Sequence, residues 1–135
     1  MAGKNSIGLD TTVILRLLTG EPEKQFEKAK EFIESQLAQH KELFVSDLVI
    51  AESYFALHHH YEIPKIEVVK YLDNLLSSGL IHVAPGSVCK DVLKESFQHK
   101  AGFVDQLIYE QYFTFADQIV SFDKSMAKLE GVIAL

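Results

Sequence analysis

Apolar positions along the chain fall into two patterns. Short solid runs occur at "IGLD", "LFVS", "LIHVA" and "QIVSFD", with a further short one at "GVIAL". Between them, apolar residues recur every three or four positions. From Val13 onward, Val13 pairs with Leu17 and Ile14 with Leu18, which is helical spacing. "EPEKQFEKAKEFIESQLAQH" puts Phe26, Ala29, Ile33 and Leu37 on one stripe and its charges elsewhere. "SDLVIAESYFAL" reads as a helix capped by Ser46 or Asp47 and running towards Tyr61. "KIEVVKYLDNLLSSG" repeats the stripe with Ile66, Val69, Leu72 and Leu76 and closes on Gly79. Pro22 and Pro64 stand where helices start. Runs separated by helices predict an α/β fold, a parallel sheet covered by helices on both sides.

The chain has 135 residues, enough for one domain with its own core, and it shows no repeat and no Pro/Gly/Ser-rich linker. A single domain over residues 1–135 is therefore expected. The one cysteine, Cys89, excludes an internal disulfide and suits packing in a reducing compartment. No run approaches the ~18 apolar residues of a membrane span, and "MAGKNSIGLD" has no signal-like apolar core. The expected compartment is the cytoplasm. A net charge of −6 argues against a plain electrostatic binder of nucleic acid. An enzyme acting on nucleic acid can still carry that charge if metal ions neutralise its site.

Four acids interrupt apolar surroundings. Asp10 stands where the first run ends and the helical period begins, the edge at which open α/β sheets bind ligands. Capping of the next helix is the plain alternative. Asp123 closes "QIVSFD" in the same way. Glu52 has Leu48, Val49, Phe55 and Ala56 as its helical neighbours, so it is expected against apolar side chains rather than water. Asp105, flanked by Ala101, Gly102, Ile108 and Tyr109, repeats that situation, whereas Glu110 falls off that face and reads as surface. The strand ends at one edge of a parallel sheet are neighbours, so these four acids are expected to converge. Their mutual repulsion raises carboxylate pKa values unless a cation intervenes, and a hard divalent ion such as Mg²⁺ suits such a set.

Other features carry less. His58, His59 and His60 are consecutive, so they point in three directions from a helix end, where positive charge suits the dipole. There is no glycine-rich phosphate loop. A dehalogenase-type phosphatase needs an aspartate at the position of Thr12.

Taken together and in order, four segments resemble the PIN-domain family, in its VapC-type toxin branch. "LDTTVILRLLTGEP" is similar to the family's opening Asp-Thr-Asn-Val-Leu and the Arg-x-Leu that follows it. "VSDLVIAES" resembles the segment carrying the family's glutamate, and "GFVDQLI" its Phe-x-Asp-x-Leu-Ile. "IVSFDKSMAKLEGV" resembles its closing Thr-Phe-Asp segment. The resemblance implies a three-layer α/β/α sandwich with a short parallel sheet. It also implies a catalytic metal site of Asp10, Glu52, Asp105 and Asp123, supported by Thr11, Thr12 and Ser121. Mg²⁺- or Mn²⁺-dependent cleavage of RNA, a small antitoxin partner and a homodimer follow from the same resemblance. Thr12 departs from the family's asparagine and offers fewer hydrogen-bonding groups than an amide; Ser121 keeps a hydroxyl where the family often has threonine. The expected reaction is in-line hydrolysis of single-stranded or looped RNA, with Glu52 orienting the attacking water or completing the metal site. The alternatives are a catalytically degenerate PIN fold that binds protein or RNA, and, less well supported, a receiver-like domain phosphorylated on aspartate.

Overall fold

The computed structural model describes residues 5–95 and 102–135 of the chain. Two compact units are present, Met1–Pro85 and Gly86–Leu135.

In the first unit, β1 (Ser6–Gly8), α1 (Thr11–Thr19), α2 (Glu23–Ala38), β2 (Glu42–Val45), α3 (Asp47–His59), α4 (Lys65–Ser77) and β3 (Ile81–Val83) follow one another. The strands form a parallel sheet of order β1-β2-β3, with Ile7 opposite Leu43 and Leu43 opposite Ile81. Parallel neighbours cannot be joined by a tight turn, so each connection carries a helix pair. Ile14, Leu43, Ile50, Leu57, Val68 and Leu72 are completely buried. Each such side chain contributes about 1.5–3 kcal/mol relative to exposure. Glycine closes two helices: Gly20 follows α1 in the left-handed region and returns its N–H to Arg16, and Gly79, at φ 81°, turns the chain after α4. Because β1 and β2 run the same way, Asp10 after β1 and the start of α3 after β2 lie at one sheet edge. The Leu9 N–H donates to Phe44 O at 2.8 Å, carrying the pairing up to Asp10.

The second unit holds α5 (Cys89–Glu95), α6 (Phe103–Tyr112), β4 (Ile119–Ser121), a 3-10 turn (Met126–Lys128) and β5 (Val132–Ala134). Strands β4 and β5 pair parallel with each other as a two-stranded sheet. Buried Phe103, Leu107, Ile119 and Met126 supply its core, with Cys89, Val92 and Leu93 buried on α5.

The α/β class, the helices and the short parallel sheet match the sequence expectation. Two details differ. Ile66 is 53% exposed, and Val68 is buried with Val69, Leu72 and Leu76 instead. At about 100° per residue Ile66 points roughly 120° away from Leu72, beyond the width of an apolar stripe. Helix α5 has no counterpart in the sequence reading, although Cys89, Val92 and Leu93 have helical spacing. No helix among the described residues is long and apolar enough to cross a membrane.

Candidate functional site

Asp10 occupies the N-cap of α1 in an extended conformation (φ −82°, ψ 164°), and its carbonyl accepts from Val13 and Ile14 N–H at 3.1 and 3.3 Å. Its side chain makes no capping hydrogen bond. Ser46 shows the contrast: it caps α3 with its hydroxyl, which accepts from Val49 N–H at 3.2 Å. The exposed carboxylate of Asp10 instead accepts from the Thr12 hydroxyl, Oγ1 to Oδ2, at 3.2 Å. Capping therefore does not account for this acid.

Glu52 is not pressed against an apolar interior as expected. It is exposed, on a face of α3 where Leu48 is 71% and Phe55 47% exposed. The buried face of α3 is formed by Asp47, Ile50, Ser53, Tyr54 and Leu57. Apolar neighbours at helical spacing therefore mark an open apolar surface here. Thr11 Oγ1 donates to Glu52 Oε1 at 3.1 Å, tying the first turn of α1 to α3. Thr11 and Thr12, adjacent in sequence, thus hold one acid each. A cavity of about 360 Å³ opens beside Glu52, lined also by Thr11, Phe55, Ala56, His59 and His60. A second, of about 510 Å³, opens on Thr12 between β1, α1 and α2.

In the second unit, Asp105 sits in the first turn of α6 and is half-buried. The fully buried face of α6 is Phe103, Gln106 and Leu107, whereas Ile108 is 41% exposed. Asp105 therefore lies at the margin of the core rather than on its inner face; Ala101, its expected neighbour, lies outside the described residues. Partial burial pushes the Asp105 carboxyl above the usual carboxylate range, and the negative charge of Asp123 pushes it further. Asp123 follows β4 and is exposed. Its Oδ1 accepts from Ser125 and Met126 N–H at 2.7 and 3.0 Å, and its own N–H donates to Ser121 Oγ at 2.9 Å. Ser121 thus fixes the backbone that presents Asp123, and Asp123 Oδ1 fixes the turn beyond it.

Glu110 is a correction. It is half-buried and accepts from Gln106 Nε2 at 3.2 Å, so it is not plain surface. Gln106 is itself 3% exposed, and its Oε1 has no hydrogen-bond partner among the described residues. Its spacing from Phe103 and Leu107 places it on the core face, and its i, i+4 spacing to Glu110 brings the two side chains together.

Asp10 and Glu52 belong to the first unit, each held by a threonine of the first turn of α1, and Asp105 and Asp123, which interact electrostatically, belong to the second. Among the described residues no three His, Cys, Asp or Glu side chains are assembled around a metal position. The donors are all carboxylate and hydroxyl oxygens, the set that suits Mg²⁺ or Mn²⁺ rather than a soft metal. An Asp105 proton affinity raised by burial first and by the Asp123 charge second is an electrostatic condition that a cation would relieve in its second part. The residues fit a hard divalent ion. The histidine run does not compete: His58 Nδ1 is hydrogen-bonded to Ile63 O at 2.8 Å, and His59 stacks on Phe55 at 5.8 Å between ring centroids.

Comparison with known proteins identifies the family. The PIN domain family model matches residues 7–132, running from β1 into β5 and through all four acids. Over 99 residues the chain is 30% identical to the VapC ribonuclease of Aquifex aeolicus (strain VF5), covering 73% of each protein. With the match spanning both units and every segment that carries an acid, this chain belongs to the PIN domain family.

Proposed function

We propose that the chain is a Mg²⁺- or Mn²⁺-dependent endoribonuclease that hydrolyses RNA phosphodiester bonds, the toxin of a toxin–antitoxin pair. In this reading Asp10, Glu52, Asp105 and Asp123 serve one metal site. The observation that carries it is Asp10: an N-cap aspartate whose carboxylate is held towards Thr12 instead of being spent on the helix. The ribonuclease named among its relatives supports the substrate class.

When bound, the divalent ion supplies Lewis acidity, lowering the pKa of a water and offsetting charge on the scissile phosphate. Asp10, Asp105 and Asp123 would hold that ion. Thr12 orients Asp10, and Ser121 sets the backbone of Asp123. Glu52, steadied through Oε1 by Thr11, accepts the proton of the attacking water or completes the metal site. A small antitoxin, a second copy of the chain in a homodimer and a cytoplasmic location complete the proposal.

The second reading is a degenerate PIN fold that binds RNA or protein without cutting, and Thr12 in place of asparagine is what favours it. Incubation of the purified chain with a mixed pool of single-stranded RNA separates the two. Cleavage in Mg²⁺ or Mn²⁺ that stops in chelator and is lost in Asp10→Asn supports the nuclease. Intact RNA in both metals supports the binding module.

A further inference from the structure

The groove that opens on Thr12 has a chemistry unlike the rest of this acidic chain. Arg16 and Lys28 line it from α1 and α2, no carboxylate among the described residues lines it, and most of its other lining residues are apolar. Arg16 donates through Nε to the neutral Gln25 amide oxygen, which positions the guanidinium without cancelling its charge. Neither cation has an ion-pair partner among the described residues. Phe32, 48% exposed, offers a ring at the groove. Thr12, at the groove wall, is the residue that holds Asp10.

Two cations without ion-pair partners and an open aromatic face are what a single nucleic-acid strand needs, charge for the backbone and a ring for an unstacked base, and the lining Thr12 is hydrogen-bonded to the site acid Asp10. We propose that this α1–α2 groove is the RNA-strand subsite leading to Asp10. Arg16 and Lys28 neutralise phosphodiesters on one side of the cut, and Phe32 stacks an unpaired base. The inference rests on the nuclease reading and assigns the path of its substrate. An acidic polypeptide segment is the competing occupant. It shares the need for cations but has no use for a stacking ring or for an approach to Asp10.

The test is binding of a short fluorescein-labelled single-stranded RNA of mixed sequence, by anisotropy in Ca²⁺, across a salt series. Each phosphate contact on a single strand adds about 0.7 to the slope of log K against log salt. Arg16→Gln with Lys28→Gln should therefore flatten the slope by about 1.4, equivalent to roughly 25-fold weaker binding at ~0.1 M salt relative to ~1 M. Lys28→Glu alone, at an exposed position where folding is not at stake, should weaken binding severalfold, and Phe32→Ala should do so without changing the slope. A Mn²⁺-induced rise in melting temperature should be the same in the double variant as in the parent chain. If the parent binds RNA and responds to Mn²⁺ but the variants keep its affinity and slope, the groove assignment is overturned and the nuclease reading stands. Unchanged RNA binding together with lost binding of a labelled poly-glutamate peptide assigns the groove to protein and overturns the proposal. A parent chain that neither binds RNA nor responds to Mn²⁺ overturns both readings.

Discussion

Replacing Asp105 with asparagine removes the charge of a half-buried side chain that faces the charge of Asp123, without changing its shape. In chelator the ionised carboxylate is unfavourable in the native state, through burial first and the Asp123 charge second. Asp105→Asn should therefore melt no lower than the parent chain. Saturating Mn²⁺ reverses the order. A ligand that binds only the native state at a hundredfold excess over Kd stabilises by about 2.7 kcal/mol. A chain of 135 residues unfolds with an entropy of roughly 0.28 kcal/mol/K, on the usual ~2.1 cal/mol/K per residue. The parent melting temperature should then rise by roughly 10 °C, while Asp105→Asn and Asp10→Asn should gain little. Asp117→Asn, at an exposed position outside the four acids, should keep the full response. Scanning calorimetry of the four proteins in chelator and in Mn²⁺ reads both effects. Equal Mn²⁺ responses in all four would refute the grouping of these acids into one site.

Other outcomes follow from the same geometry. The Thr12 hydroxyl donates to Asp10 Oδ2, so Thr12→Val should slow RNA cleavage more than Thr12→Ser at similar stability; equal rates would leave the hydroxyl without a role. In chelator, the folded-state pKa of Asp105 lies above its unfolded value. Between those two values the native state binds more protons, and stability falls as pH rises. Asp105→Asn should lack that decline in a pH series of melting curves. Gly131 has φ +83°, and a Cβ there meets the Phe113 ring at 2.7 Å. The left-handed backbone alone costs an alanine about 1–2 kcal/mol, so Gly131→Ala should melt roughly 4–7 °C lower. An unchanged melting temperature would contradict the strain.

The strands were readable because each is a short apolar run bounded by a change of period. The same change marked Asp10 and Asp123, which do follow β1 and β4. Glu52 and Ile66 show where a single chain's pattern misleads. Leu48 and Phe55 surround Glu52 at helical spacing yet are themselves exposed, and apolar identity does not say whether an opposing element covers it. Ile66 looked like one more member of a stripe, but angular position on the helix excluded it. The Thr11–Glu52 hydrogen bond was unreadable because it joins residues 41 apart, whereas Gln106 and Glu110 stand at i, i+4 spacing, a local signal that the surface reading of Glu110 passed over. The cationic groove combines α1 and α2 residues whose proximity no local periodicity reveals.

Hydrolysis by a water activated at a carboxylate-held divalent ion has a chemical signature in its products. Electrospray mass spectrometry of the fragments from a defined single-stranded RNA, cut in Mn²⁺ and in chelator, reads it directly. Attack by water leaves a linear phosphate monoester at the cut, with no 2′,3′-cyclic phosphate, and no fragments at all in chelator or with Asp10→Asn. Cyclic phosphate ends that persist in chelator and copurify with the protein would contradict a metal-dependent hydrolase built on Asp10, Glu52, Asp105 and Asp123.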